Sequence, residues 1–156
     1  MSRVDLGRRL ARCVARRESA EPVPSAIGKV CGAMTVLVLG GAGFIGRAVV
    51  RALCAEHEAV RVLDRHGAPA DGLDAGVERW CAADLADGEA LREMLAGCDA
   101  VVHLAAGASP ARSEGAWASD AASQVLPAIG LLEAMHACCV RRLVFVSSGG
   151  TVYGRT

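Results

Sequence analysis

The chain has 156 residues, enough for one domain with its own core, and 53% of them are hydrophobic against 22% charged, which excludes a chain disordered by composition. Formal net charge is zero, which argues against a nucleic-acid-binding surface, and no apolar run approaches the roughly 20 residues that cross a bilayer, so neither nucleic acid nor membrane is an expected partner. Aromatic residues make up only 3%, so Ala, Val and Leu must fill the core, which favours helices packed on a sheet of branched residues.

Residues 1–33 do not resemble the rest. Arg3, Arg8, Arg9, Arg12, Arg16, Arg17 and Lys29 face only Asp5, Glu18 and Glu21, so this stretch carries an excess of four positive charges. Leu6, Leu10, Cys13 and Val14 fit one side of a short basic helix, and Pro22, Pro24 and Gly28 then break order. The stretch reads as a basic, disordered leader, with a targeting or surface-binding segment as the functional alternative. Met34 reads as the start of the domain.

From Met34 onward, strands and helices alternate. Thr35-Val36-Leu37-Val38-Leu39 is a strand apolar enough to be buried on both faces. The turn Gly40-Gly41-Ala42-Gly43 follows, and a helix runs from Phe44 to about Glu56. The glycines have separate expected uses: Gly40 lets the chain leave the strand sharply, Gly43 lets backbone approach a pyrophosphate, and Gly46 lets the helix pack close to the sheet. The first amides of the helix, around Phe44 and Ile45, then face the phosphates with the helix dipole behind them. The bland reading is a tight strand-to-helix turn with no ligand.

Val60 to Asp64 is the second strand and Glu78 to Ala82 the third, followed by Asp84-Leu85. Gly88 to Cys98 reads as a helix with Leu91, Met94 and Leu95 on one face. Ala100 to Ala106 is the fourth strand. A long helix spans about Trp117 to Cys139, with Val125, Leu126, Ile129, Leu132 and Met135 along it; Pro127 should kink it or end a first segment. Both Leu131 and Leu132 read as core. Leu143 to Ser147 is the fifth strand. The alternation predicts an α/β fold, a doubly wound parallel sheet of the Rossmann type in the order 3-2-1-4-5, with the ligand crevice at the carboxyl ends between strands 1 and 4.

Asp64 lies eighteen positions beyond Gly46, at a strand end. That is the place of an acid that accepts hydrogen bonds from the adenosine ribose hydroxyls, and its charge repels a 2′-phosphate. NAD is therefore the expected cofactor; Arg65 keeps NADP open, because a guanidinium can bind that phosphate or stack on adenine. His103 reads as a buried strand histidine with a backbone partner. Asp84 has a bland reading as a helix N-terminal acid, and Ser147 and Ser148 one as a strand end. Seven cysteines are scattered with no C-x-x-C pair, which reads as buried reduced thiols of a cytoplasmic protein, with no metal site.

The stretch Gly40-Gly41-Ala42-Gly43-Phe44-Ile45-Gly46 resembles the cofactor motif of the extended short-chain dehydrogenase/reductases, the NAD-dependent epimerase/dehydratase family. Further stretches agree in the family's order. Asp84-Leu85 resembles the pair beside the adenine, and Val102-His103-Leu104-Ala105-Ala106 the strand-4 segment lining the cofactor. Gly130-Leu131-Leu132-Glu133-Ala134 resembles the long-helix signature, and Arg142 to Gly154 the strand-5 segment ending in V-Y-G. The resemblance covers residues 35–154 and implies a NAD-binding portion of an enzyme acting on nucleotide sugars, similar to UDP-glucose 4-epimerase-like members. Those members transfer hydride at a sugar carbon as epimerases (isomerases), dehydratases or oxidoreductases.

Departures stand beside the matches. The family's Tyr-x-x-x-Lys pair is not in these residues: the only Tyr is Tyr153, in V-Y-G, and the only Lys is Lys29. The family's Ser/Thr position falls on Gly149, leaving Ser148 and Thr151 as candidate catalytic hydroxyls. Its helix Asn corresponds to Gln124. The alternatives to an enzyme portion are a non-catalytic dinucleotide-binding module and an inactive, C-terminally truncated product.

Overall fold

The computed structural model describes residues 34–70, 76–105 and 117–147. The leader expected over 1–33 lies outside the described residues, as do Ala106, Ser148 and Thr151.

Five parallel strands form one sheet in the order β3-β2-β1-β4-β5, as the alternation predicts. They are β1 (Thr35–Leu39), β2 (Ala59–Asp64), β3 (Val77–Ala82), β4 (Ala100–His103) and β5 (Leu143–Phe145). In register, β1 pairs Leu39 with Leu63 of β2 on one side and with His103 of β4 on the other. Successive residues of a strand point to opposite faces, which divides the core in two. Val36, Val38, Val60, Val62 and Val102 pack with Val49, Val50 and Leu53 of helix α1 (Phe44–Ala55). On the other face Leu37, Leu39, Leu63 and Val101 meet Leu91, Met94 and Leu95 of α2 (Gly88–Leu95).

Helix ends follow local chemistry. Asp87 caps α2, accepting from the amides of Glu89 and Ala90, each at 3.1 Å. The helix stops at Leu95, three residues before the expected Cys98, because Gly97 has φ +74°. Beyond that stop, the Arg61 guanidinium donates to the carbonyls of Met94 (3.3 Å) and Ala96 (2.7 Å) while pairing with Glu78 at 3.2 Å.

The long helix is divided. After α3 (Trp117–Asp120), one wide turn of π-helix occupies Ala121–Val125, where the Leu126 amide reaches back to the Ala121 carbonyl. The helix α4 (Leu126–Ala137) then begins with Pro127 in its first turn. Pro127 has no N–H for the carbonyl four residues earlier, so the expected break falls just before it. Pro127, Leu131, Ala134 and Met135 are buried; Leu132, expected in the core, is exposed, as are Val125, Leu126 and Ile129. A helix buries one stripe, and here that stripe is the one containing Leu131.

Four strand ends differ from expectation by one to three residues. β2 starts at Ala59, β3 starts at Val77, β4 ends at His103, and β5 ends at Phe145. Hydrogen bonds continue past the last two, from Leu104 to the Leu39 carbonyl (2.9 Å) and from Val146 to the His103 carbonyl (3.2 Å). The thiols are also less buried than expected. Cys98 is buried, Cys54, Cys81 and Cys138 are half-buried, and Cys139 is exposed at the turn after α4; all five are free.

Candidate functional site

The order of the sheet reverses at β1, so the carboxyl ends of β1 and β4 open onto the crevice where such sheets hold ligands. Three glycines shape the chain there, and the surrounding atoms separate their roles. Gly40 has φ +82°, and a Cβ on it would lie 2.7 Å from the Ala105 amide nitrogen. A Cβ on Gly46 would lie 2.1 Å from the Gly40 carbonyl oxygen and 2.7 Å from the Gly41 Cα. Both are contacts with backbone, which cannot yield.

Gly43 is different. Its φ is −68°, an ordinary value, and the nearest atom to an added Cβ is the Gly40 oxygen at 3.3 Å. A Cβ there would be tight against that oxygen, which would have to give by a few tenths of an ångström, but it would not overlap backbone as at Gly40 and Gly46. Gly43 is exposed and stands at the N-cap of α1 with no side-chain cap. The first bond of the helix runs from Arg47 to the Gly43 carbonyl (3.0 Å), so the amides of Ile45 and Gly46 precede the helical ladder. Other amides of the turn are used internally: Gly40 donates to the Leu63 carbonyl (2.9 Å) and Gly43 to the Gly40 carbonyl (3.3 Å). Phe44, at 61% exposure, and Ile45 sit at the helix entrance as apolar surface.

Asp64 ends β2 and is only 9% exposed. One carboxylate oxygen accepts the Ala42 amide at 2.9 Å, which ties the acid to the glycine turn. The other accepts the His66 amide at 2.9 Å and faces the His66 Nδ1 at 3.1 Å. Arg65, exposed, lies 4.0 Å from Asp84 through its Nε. Asp84 accepts the Ala86 amide at 2.9 Å, forming the turn ahead of Asp87, which is the residue that caps α2. Leu85 packs against the core beneath α2.

The structure thus brings together Gly40, Gly43, Phe44, Ile45, Gly46, Asp64 and Ala105, with Arg65 and Asp84 as a neighbouring pair. Leu104 and Ala105 are half-buried past β4. Gln124 is exposed in the π-turn and Ser147 is exposed after β5. His66 is a residue that the sequence reading passed over; its position two residues past a strand-end acid is the signal that could have found it.

His103 is buried at the end of β4, its ring 4.8 Å from that of Phe145. It is a buried strand histidine, as expected, and among the described residues its Nε2 has no hydrogen-bond partner. Burial lowers its pKa, which keeps the ring neutral. Away from the turn, a groove of about 560 Å³ runs between α2 and α4, lined by Leu85, Arg92, Leu126, Pro127, Gly130 and Glu133 among others. Among the described residues no three His, Cys, Asp or Glu side chains gather as metal ligands, and no helix is long and apolar enough to cross a membrane.

The geometry has counterparts in known proteins. The chain is 34% identical over 113 residues to an L-arabinose 1-dehydrogenase (NAD(P)(+)) of Haloferax volcanii, covering 72% of this chain and 40% of that one. It is 36% identical over 128 residues to a UDP-glucose 4-epimerase of Mycolicibacterium smegmatis, covering 78% and 41%. Among solved structures, a UDP-glucose-4-epimerase from Stenotrophomonas maltophila with bound NAD and formylated UDP-arabinopyranose superposes with a TM-score of 0.67 at 32% identity, covering 79% of this chain and 39% of that one. The chain therefore spans about two fifths of the length of the curated relatives it matches. The family profile covers residues 36–156, beginning inside β1 and taking in the whole candidate site, and the chain belongs to the NAD dependent epimerase/dehydratase family.

Proposed function

We propose that this chain is the NAD-binding portion of a nucleotide-sugar epimerase or dehydratase, working in the cytoplasm. The observation that carries the reading is Gly43: it stands exposed at a helix N-terminus with no side-chain cap, and the one atom an added Cβ would crowd is the Gly40 oxygen at 3.3 Å, far less than the overlaps at Gly40 and Gly46. A diphosphate fits that surface, held by the first-turn amides around Phe44, Ile45 and Gly46. Asp64 takes the adenosine ribose, Asp84 and Leu85 flank the adenine, and Arg65 lies beside them. Leu104, Ala105 and Ala106 line the dinucleotide; Gln124 and Ser147 stand toward its nicotinamide end. NAD supplies the acceptor for hydride from a sugar carbon. Ser148 and Thr151 are the candidate catalytic hydroxyls.

A second reading has its own observation. Tyr153 and Lys29 are the only Tyr and Lys in the sequence and do not form a Tyr-x-x-x-Lys pair, which favours dinucleotide binding without turnover by these 156 residues. The free thiols on half-buried and exposed positions suit a reducing compartment. One experiment tests the cofactor claim. Titration of NADH into the folded chain should show saturable binding, and Gly43→Ala should weaken it by about tenfold or more in a chain that still folds, since a Cβ pushes the diphosphate off the amides. A folded chain with no affinity for NADH would sink the reading. Turnover of a UDP-sugar would decide for the enzyme over the binding module.

A further inference from the structure

The segment that follows β2 is held at one residue from both sides. His66 donates its amide to Asp64 at 2.9 Å, a local turn closed by the acid's own side chain. The His66 carbonyl accepts from the Trp80 Nε1 at 3.3 Å. Among the described residues little else ties the segment down. The side chains of Arg65 and His66 are 60% and 81% exposed, and a Cβ on Gly67 would meet nothing within 4 Å. The Arg65–Asp84 contact, at 4.0 Å and exposed, is of a weak kind.

The place of Trp80 follows from register. It pairs with Val62 of β2, two positions before Asp64, so its side chain stands on the same face of the sheet as that of Asp64. Its ring packs against the cluster of valines and Leu53 under α1. A phenyl ring could fill the same apolar place, but indole brings an N–H donor with it.

The Asp64 carboxylate depends on that support. One oxygen accepts the Ala42 amide and the other the His66 amide. The first amide is fixed by the glycine turn. The second is only as steady as the loop that carries it. A carboxylate pinned at both oxygens presents its open lone pairs in one direction, whereas one pinned at a single oxygen turns about its broad terminal torsion. Binding groups hold a ligand well only when their own supports lock them in place.

Resting on the reading of this crevice as a dinucleotide site, we infer that Trp80 is a positioning residue for the adenosine ribose. Its indole N–H holds the His66 peptide, the His66 amide holds the Asp64 carboxylate, and the carboxylate is thereby aimed at the ribose hydroxyls.

The test is calorimetric titration of the full chain with ADP and with 2′-deoxy-ADP, for wild type and Trp80→Phe, each checked for a wild-type thermal transition. Wild type should favour ADP by about tenfold, because only ADP brings the 2′-hydroxyl to the acid. Trp80→Phe should weaken ADP by about fivefold and leave 2′-deoxy-ADP within about twofold of wild type, so that discrimination narrows. Loss of packing alone would move both ligands together. Should Phe loosen the fold, β-(3-benzothienyl)alanine at position 80 keeps the bicyclic shape without the N–H and should give the same narrowing. Equal binding of the two ligands by wild type, equal weakening of both by the variants, or full discrimination without the N–H would overturn the inference while leaving the dinucleotide site standing. A folded wild-type chain that binds neither ADP nor NADH would overturn both.

Discussion

The β1–α1–β2 unit and the α4–β5 side of the sheet use the same apolar residue types to different ends. In the first, all five residues of β1 are buried, and the glycines at 40 and 46 are enforced by backbone contacts of less than 3 Å. In the second, β5 is the sheet edge among the described residues, its three residues are half-buried or exposed, and Phe145 is 57% exposed. Val125, Ile129 and Leu132 make a stripe along the outer side of the π-turn and α4. One unit is closed by its own atoms and offers a polar, uncapped helix end at its surface. The other offers apolar surface. Cofactor chemistry belongs to the first, because holding a charged dinucleotide requires amides and an acid fixed to within an ångström or so.

The largest effect should come from breaking the closed unit. Gly46→Ala places a Cβ where the Gly40 oxygen already sits, and neither α1 nor the turn can shift without opening the core under Val49, Val50 and Leu53. We expect a loss of about 3 kcal/mol or more in urea denaturation. Gly43→Ala, three residues away, meets only a tight 3.3 Å contact with the same oxygen and should cost binding more than stability. A Gly46→Ala chain with the wild-type midpoint would show that the turn is not rigid, and the contrast between the two regions would fail with it.

The same contrast explains how much could be read from sequence. The closed unit was legible because its constraints are local: a continuous apolar strand, a glycine turn and an acid at a fixed distance each have one physical reading. The order of strands followed from alternation. The other side was less legible. Helix α4 is apolar nearly all round, so its pattern could not say whether Leu131 or Leu132 faces the sheet. Leu104 and Ala105 continue an apolar run, yet the chain leaves β4 at His103; there Ala105 packs against Gly40, a contact between residues 65 positions apart that no local pattern encodes. The hold of His66 on Asp64 was missed because an exposed loop histidine carries no periodicity. That the Nε2 of His103 has no partner among the described residues could not be read, because satisfaction depends on neighbours from other strands.

A smaller effect should appear on the apolar side. With its outer stripe and the β5 edge exposed, the chain should self-associate in sedimentation experiments. Replacing Ile129 and Leu132 together by Lys should raise the dissociation constant by about tenfold or more, since hot-spot contacts at such surfaces are apolar. NADH affinity should not move, because the stripe lies apart from the turn. Self-association unchanged by the double substitution would place the contact elsewhere, on β5 or outside the described residues.

The smallest effect separates the two regions by the same atom. Gly130 lies inside α4, where nothing stands within 4 Å of an added Cβ, and its φ is not in the positive range. Glycine costs a helix interior about 0.5–1 kcal/mol relative to alanine, through the freedom it has to surrender on folding. Gly130→Ala should therefore raise stability by about that amount in urea denaturation, and leave cofactor binding unchanged. The methyl group would project beside the groove between α2 and α4, which has space for it. One added carbon should thus unfold the chain at 46, block a ligand at 43 and stabilise it at 130. A loss of stability at 130 would mean that some segment already packs against that groove and needs the glycine for its approach.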